Sequence, residues 1–105
     1  MSTYLIVEFT VKDPYLYHEK YAADAGKTAK EYGAEALANS NWELLHGDGS
    51  LTSEALKRFP DHEAAIKWYN SPEYRQLSVR GVAMDARFSL HDGLPAPAEA
   101  QGESV

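Results

Sequence analysis

Over residues 4–11 the chain alternates, with Leu5, Val7, Phe9 and Val11 on one side and Tyr4, Ile6, Glu8 and Thr10 on the other. A period of two marks a strand with one face against a core. Asp13 and Pro14 come next and together start a helix. Asp accepts from the free N–H groups of the first turn, and Pro in the first helical position gives up no bond. From there Tyr17, Tyr21, Ala25, Thr28 and Tyr32 recur at steps of four, four, three and four, which is a single helical stripe. Gly33 supplies the stop, so the pattern predicts a helix over about residues 14–32.

Residues 34–38 and 42–45 read as one broken strand or two short ones around Asn39-Ser40-Asn41, and the glycines of 46–50 make a turn. Residues 51–59 are polar for a strand and by propensity alone would pass for a helix. Their place between a glycine turn and Pro60 predicts a strand. Asp61 then caps a second helix through Glu63, Ile66, Trp68 and Tyr69, and Ser71 with Pro72 restarts it after a kink, through Leu77. After Gly81, Met84, Ala86, Phe88 and Leu90 alternate as a last strand. Composition makes residues 94–105 a disordered tail and residues 1–93 the domain.

Strand, helix, strand, strand, helix, strand is the ferredoxin-like βαββαβ order, an α+β fold with an antiparallel sheet. Two helices cover one face of such a sheet. An identical sheet from a second subunit covers the other with closed symmetry, so a face-to-face homodimer is expected.

At these residues the chain resembles a known family, the domain of unknown function 1330, in the dimeric α/β-barrel superfamily. The resemblance is carried by residues 4–14, by Tyr17, Tyr21 and Tyr32, by Phe59-Pro60 with Glu63-Ala-Ala, by residues 68–74 (Trp-Tyr-Asn-Ser-Pro-Glu-Tyr), and by Arg80. It implies the architecture of a dimeric barrel without naming a reaction. The superfamily includes cofactor-independent monooxygenases, muconolactone isomerase, haem-degrading enzymes and stress-response proteins. The chain departs from the family's strongly apolar third strand, with Ser53, Glu54, Lys57 and Arg58 in that stretch, and has Gly33-Ala34 where Gly-Gly is customary.

The composition narrows the function classes. With 105 residues and a net charge of −6, from 10 Lys and Arg against 16 Asp and Glu, the chain is a single acidic domain that would repel a nucleic acid backbone. No cysteine is present, which removes disulfides, thiolate metal sites and thiol nucleophiles. No stretch is apolar enough to span or enter a membrane. A cytoplasmic location is expected, with no nucleic acid or membrane partner. Seven Tyr, two Trp and three Phe are a rich aromatic supply for this length, and point to packing or small-molecule contact.

Each candidate residue carries two readings. Glu8, in mid-strand, faces the space between two sheets and serves either as a general acid or base with a raised pKa or as the partner of Arg87 or Arg58. Tyr17 and Tyr21 share a helical stripe, and Trp68, Tyr69 and Tyr74 come from the second helical region. Together they either hold a flat ligand with phenol hydroxyls at hand or fill the core. Arg80, matching the family's arginine, anchors a carboxylate or phosphate or pairs with Glu73 or Asp85. His18 beside Tyr17 is an acid or base near neutral pH or a solvated side chain. His18, His46, His62 and His91 have no metal-binding spacing, and neither a nucleophile elbow nor a phosphate loop occurs. No metal and no cofactor are expected.

The leading expectation is a homodimer that binds a small aromatic or unsaturated metabolite and moves protons without a cofactor, as an isomerase, cyclase, lyase or monooxygenase. In it Glu8 or His18 moves the proton, Tyr21 hydrogen-bonds the substrate, Tyr17, Trp68, Tyr69 and Tyr74 shape the pocket, and Arg80 holds a negative group. The alternative is a non-catalytic dimeric binding or structural module.

Overall fold

The computed structural model describes residues 2–77 and 79–94. The disordered tail expected at 94–105 lies outside them, apart from Leu94. Strand β1 (Thr3–Val11) leads through Asp13, whose carboxylate accepts from the Leu16 amide at 3.1 Å, into α1 (Pro14–Tyr17). A π-helical turn (His18–Ala22) joins α1 to α2 (Ala23–Glu31). The helix ends at Gly33, whose φ of +90° suits only glycine. A Cβ there would also lie 3.0 Å from the Pro60 ring.

Strands β2 (Glu35–Asn41) and β3 (Ser53–Phe59) follow. The strand expected at 42–45 does not form: Leu45 is 88% exposed, with no sheet neighbour to repay its order. The rival helix over 51–59 does not form either. Backbone pairing of β3 with both β1 and β2 overrides local propensity. Asp61 caps α3 (His62–Tyr69) by accepting from Ala64 N–H at 2.8 Å, and Ser71 caps α4 (Pro72–Arg75) by accepting from Tyr74 N–H at 3.1 Å. A short helix the sequence did not announce, α5 (Arg80–Ala83), precedes β4 (Met84–Asp92).

All pairings are antiparallel, in the order β2-β3-β1-β4. The helices lie on the face of Leu5, Val7 and Phe9, where Phe59, Trp68 and Met84 complete a buried core. The opposite face is open. It carries Tyr4, Ile6 and Glu8 of β1, flanked in register by Arg58, Leu56 and Glu54 of β3 and by His91, Ser89 and Arg87 of β4.

Candidate functional site

The π-helical turn decides where the tyrosines point. Four residues of α-helix overshoot a full turn by about 40°, which would swing successive members of the stripe away from the sheet. The wider turn takes up that drift, so Tyr21 and Ala25 are buried and Tyr17 stacks on Phe9, ring centres 5.5 Å apart. Such turns recur at functional sites.

Tyr21 then meets the second helical region. Its hydroxyl lies 2.7 Å from that of Tyr74, which the Ser71 cap fixes at the start of α4. Trp68, 3% exposed, packs its ring 4.3 Å from Tyr74 and donates its indole N–H to Thr28 Oγ1 at 3.0 Å, tying α3 to α2. Arg80, delivered by α5, donates from Nη1 to the hydroxyls of Tyr69 at 3.1 Å and Tyr74 at 3.4 Å, with its guanidinium 4.9 Å above the Phe88 ring. Neither acid expected beside Arg80 pairs with it. Asp85 pairs with Lys12 at 3.4 Å, and Glu73 accepts from Tyr32 at 3.4 Å.

The electrostatics assign these phenols a role. Burial drives the Tyr21 pKa far above that of an ordinary phenol, and its close neighbour Tyr74 adds to the rise. Burial also raises Tyr74 and outweighs the opposing pull of its hydrogen bond to Tyr21 and of the Arg80 charge, while Tyr17 rises through burial alone. All three stay protonated across the neutral range. They are hydrogen-bond donors and not bases.

Two connected spaces lie between these helices and the sheet. An inner cavity of about 110 Å³ is bounded by Tyr17, Tyr21, Trp68, Phe88, Asn39 and Lys57. An outer groove of about 330 Å³ shares Tyr17, Phe9, Ala22 and Asn39 with it and opens past His18. His18 is exposed and sets its ring edge-on to Tyr17 at 5.0 Å. A further pocket of about 240 Å³, between α3 and strands β1 and β4, shares Leu5, Trp68 and Phe88 with the inner cavity and is also lined by Ile66, Tyr69 and Leu90. Its one titratable lining group, Tyr69, is already held by Arg80.

The structure therefore brings together Tyr17, Tyr21, Trp68 and His18, with Tyr69, Tyr74 and Arg80 as a second layer behind them. It does not bring Glu8 there. Glu8 lies on the open face and accepts from Arg87 Nε at 2.8 Å and Nη2 at 2.5 Å, the ion pair that was its alternative reading. Lys57 was missed as a site residue. Whether it or Arg58 faces the helices turns on a one-residue register choice, and Leu5 opposite Lys57 settles it. Among the described residues no cluster of three or more His, Cys, Asp or Glu is placed to hold a metal ion, and no helix is long and apolar enough to cross a membrane.

The fold and the tyrosine stripe meet in one family. The chain belongs to the DUF1330 family, a domain of unknown function, which it matches over residues 2–94. No curated protein matches it. Among solved structures it is similar to RPA0582, a protein of unknown function from Rhodopseudomonas palustris, with TM-score 0.71 and 16% identity over 90% of this chain and 83% of that one. It is also similar to SnoaB, a cofactor-independent oxygenase from Streptomyces nogalater, with TM-score 0.58 and 12% identity over 90% of this chain and 95% of the other. An antibiotic biosynthesis monooxygenase follows at TM-score 0.52 and 16% identity, covering 90% and 100%. At these identities the likeness shows the fold, the ferredoxin-like unit of the dimeric α/β-barrel proteins.

Proposed function

We propose that this DUF1330 chain is a homodimer that binds a small aromatic or unsaturated metabolite between its helices and its sheet, and transforms it by proton transfer without a cofactor. The observation that carries the reading is the chain of donors from Arg80 to Tyr74 to Tyr21 at the wall of an aromatic cavity that opens beside a histidine. Arg80 donates to the Tyr74 oxygen and so strengthens Tyr74 as a donor to Tyr21. That order leaves the Tyr21 proton for an oxygen of the bound molecule. A neutral phenol in that position stabilises a developing enolate or phenolate.

His18, at the mouth, is the imidazole that lines the groove, and the proton transfer is assigned to it. Trp68 and Tyr17 supply flat apolar walls, and Tyr69 and Arg80 hold Tyr74. Glu8 leaves the set, because its carboxylate is engaged by Arg87 across the sheet. The open face supports the dimer. Ile6 and Leu56 are half-buried there beside the Glu8–Arg87 pair, and a second copy would cover them. Isomerase, cyclase and lyase chemistry on such a substrate uses the proton transfer described. Monooxygenation adds dioxygen as the oxidant at the carbanion so formed, one oxygen atom entering the product and the other leaving as water. The similarity to SnoaB, a cofactor-independent oxygenase, and to an antibiotic biosynthesis monooxygenase supports the last of them.

The test is a panel of naphthols, quinols and unsaturated cyclic acids incubated with the protein and followed by mass spectrometry of the products. Turnover that falls at least tenfold in Tyr21→Phe supports the reading. Saturable binding with no turnover of any panel member favours the alternative, a non-catalytic dimeric binding module. Absence of both binding and turnover removes the ligand site altogether.

A further inference from the structure

Lys57 is a charged side chain on the helix-covered face of the sheet. Its partners in register are Leu5 on β1 and Ala36 on β2, which turns it toward the helices, between Ala55 and Phe59. There it lines the inner cavity with Tyr17, Tyr21 and Trp68. It also lines a second groove of about 360 Å³ with Lys30 and Glu35. It makes no hydrogen bond or ion pair among the described residues. Glu35, the acid that lines that groove, is paired with Arg58.

A half-buried ammonium without a counter-ion is a cost that folding alone does not require. Burial lowers the Lys57 pKa below that of a free lysine, the direction expected of a charge lacking a partner. A methionine or leucine at this position would pack against Leu5 and Phe59 at no electrostatic cost. Gly26 of α2 lines both spaces, and a Cβ there would meet nothing within 4 Å.

The geometry points to Lys57 as an anion-binding residue of the cavity, taking a carboxylate or an enolate or phenolate oxygen of the bound molecule while the aromatic walls take its ring. This rests on the ligand-binding reading above and narrows it to an anionic, flat substrate held between an ammonium on the sheet and the Tyr21 hydroxyl on the helix. An anion arriving there supplies the missing counter-charge in a site of reduced dielectric, where such a bond is stronger than at the surface.

The experiment is isothermal titration of the full chain with 1-naphthoate and with its neutral counterpart 1-naphthamide, in the wild type, Lys57→Met and Lys57→Arg, with melting temperatures recorded for each. The expected result is that Lys57→Met weakens naphthoate about tenfold or more and leaves naphthamide within about twofold, and that Lys57→Arg retains naphthoate. The melting temperature of Lys57→Met stays equal to that of the wild type or rises. An equal loss for both probes, or no loss for naphthoate, overturns the assignment and leaves the cavity as a neutral-ligand site. A melting temperature lowered by several degrees in both variants would make Lys57 structural and equally overturns it. Failure of the wild type to bind either probe counts against the ligand site itself, and the inference falls with it.

Discussion

The hydroxyls of Tyr21 and Tyr74 lie 2.7 Å apart, buried, and among the described residues only Tyr74 has a further hydrogen-bond partner, Arg80. The pair is therefore asymmetric. Tyr21→Phe leaves Tyr74 still bonded to Arg80 and should cost about 0.5–1.5 kcal/mol. Tyr74→Phe strands the Tyr21 hydroxyl in the core and should cost more, about 1–3 kcal/mol. Urea unfolding of both single variants and the double variant checks this, and the double should cost less than the sum of the singles. Equal, additive costs would mean that the two hydroxyls do not act on one another.

In the proposed dimer Glu8 and Arg87 lie on the covered sheet face. Glu8→Gln should loosen the dimer, leaving Arg87 without its counter-charge at the covered face, while ligand affinity stays unchanged. Ile6→Asp, in the middle of the same face, should give a monomer by light scattering. Loss of turnover in Glu8→Gln with an intact dimer would return Glu8 to the chemistry.

Gly26 sits inside α2, where glycine costs about 0.8–1 kcal/mol relative to alanine, and its missing Cβ would meet no atom within 4 Å. Gly26→Ala should therefore raise the melting temperature by about 4 °C. Gly33→Ala should do the opposite, because φ is +90° there and the Pro60 ring stands 3.0 Å from the new carbon. Thermal unfolding of the two variants gives the comparison.

Lys57 makes a pH prediction of definite sign. Its folded-state pKa lies below the ordinary 10.5, through burial. Below the folded-state pKa both the folded and unfolded chains hold the proton, and the cost of the buried charge is fully present. As pH rises toward 10.5 the folded chain releases its proton first, the unfolded chain binds more protons, and stability rises. Tyr17, Tyr21, Lys30 and Glu35 surround the same spaces and are common to wild type and variant. The stability difference between Lys57→Met and wild type should thus shrink as pH rises toward 10.5. A difference that stays constant would mean that Lys57 titrates as if in water.

The elements with strong local signals were legible in the sequence. The alternation of β1, the Asp13-Pro14 start and the Asp61 and Ser71 caps each state their own geometry within a few residues. The polar stretch of β3 does not. Glu54 and Arg58 belong to the open face and Ser53 and Lys57 to the helix side, and only the distant pairing of Val7 with Ala55 distinguishes that register from its neighbour. Helix α5 has no capping side chain at its start, so nothing marked it, yet it is the element that turns Arg80 onto Tyr69 and Tyr74. Periodicity foresaw the stripe of Tyr17 and Tyr21 but not the π-helical turn that keeps it facing the sheet. The aromatic wall was readable for these reasons, and the cation facing it was not.

The central claim, a dimer with a flat-ligand site beneath its helices, is tested most directly by native mass spectrometry of the purified chain with and without added 1-naphthoate. The account predicts a dimer that takes up one naphthoate per subunit. A monomer, or a dimer that takes up none, would contradict it.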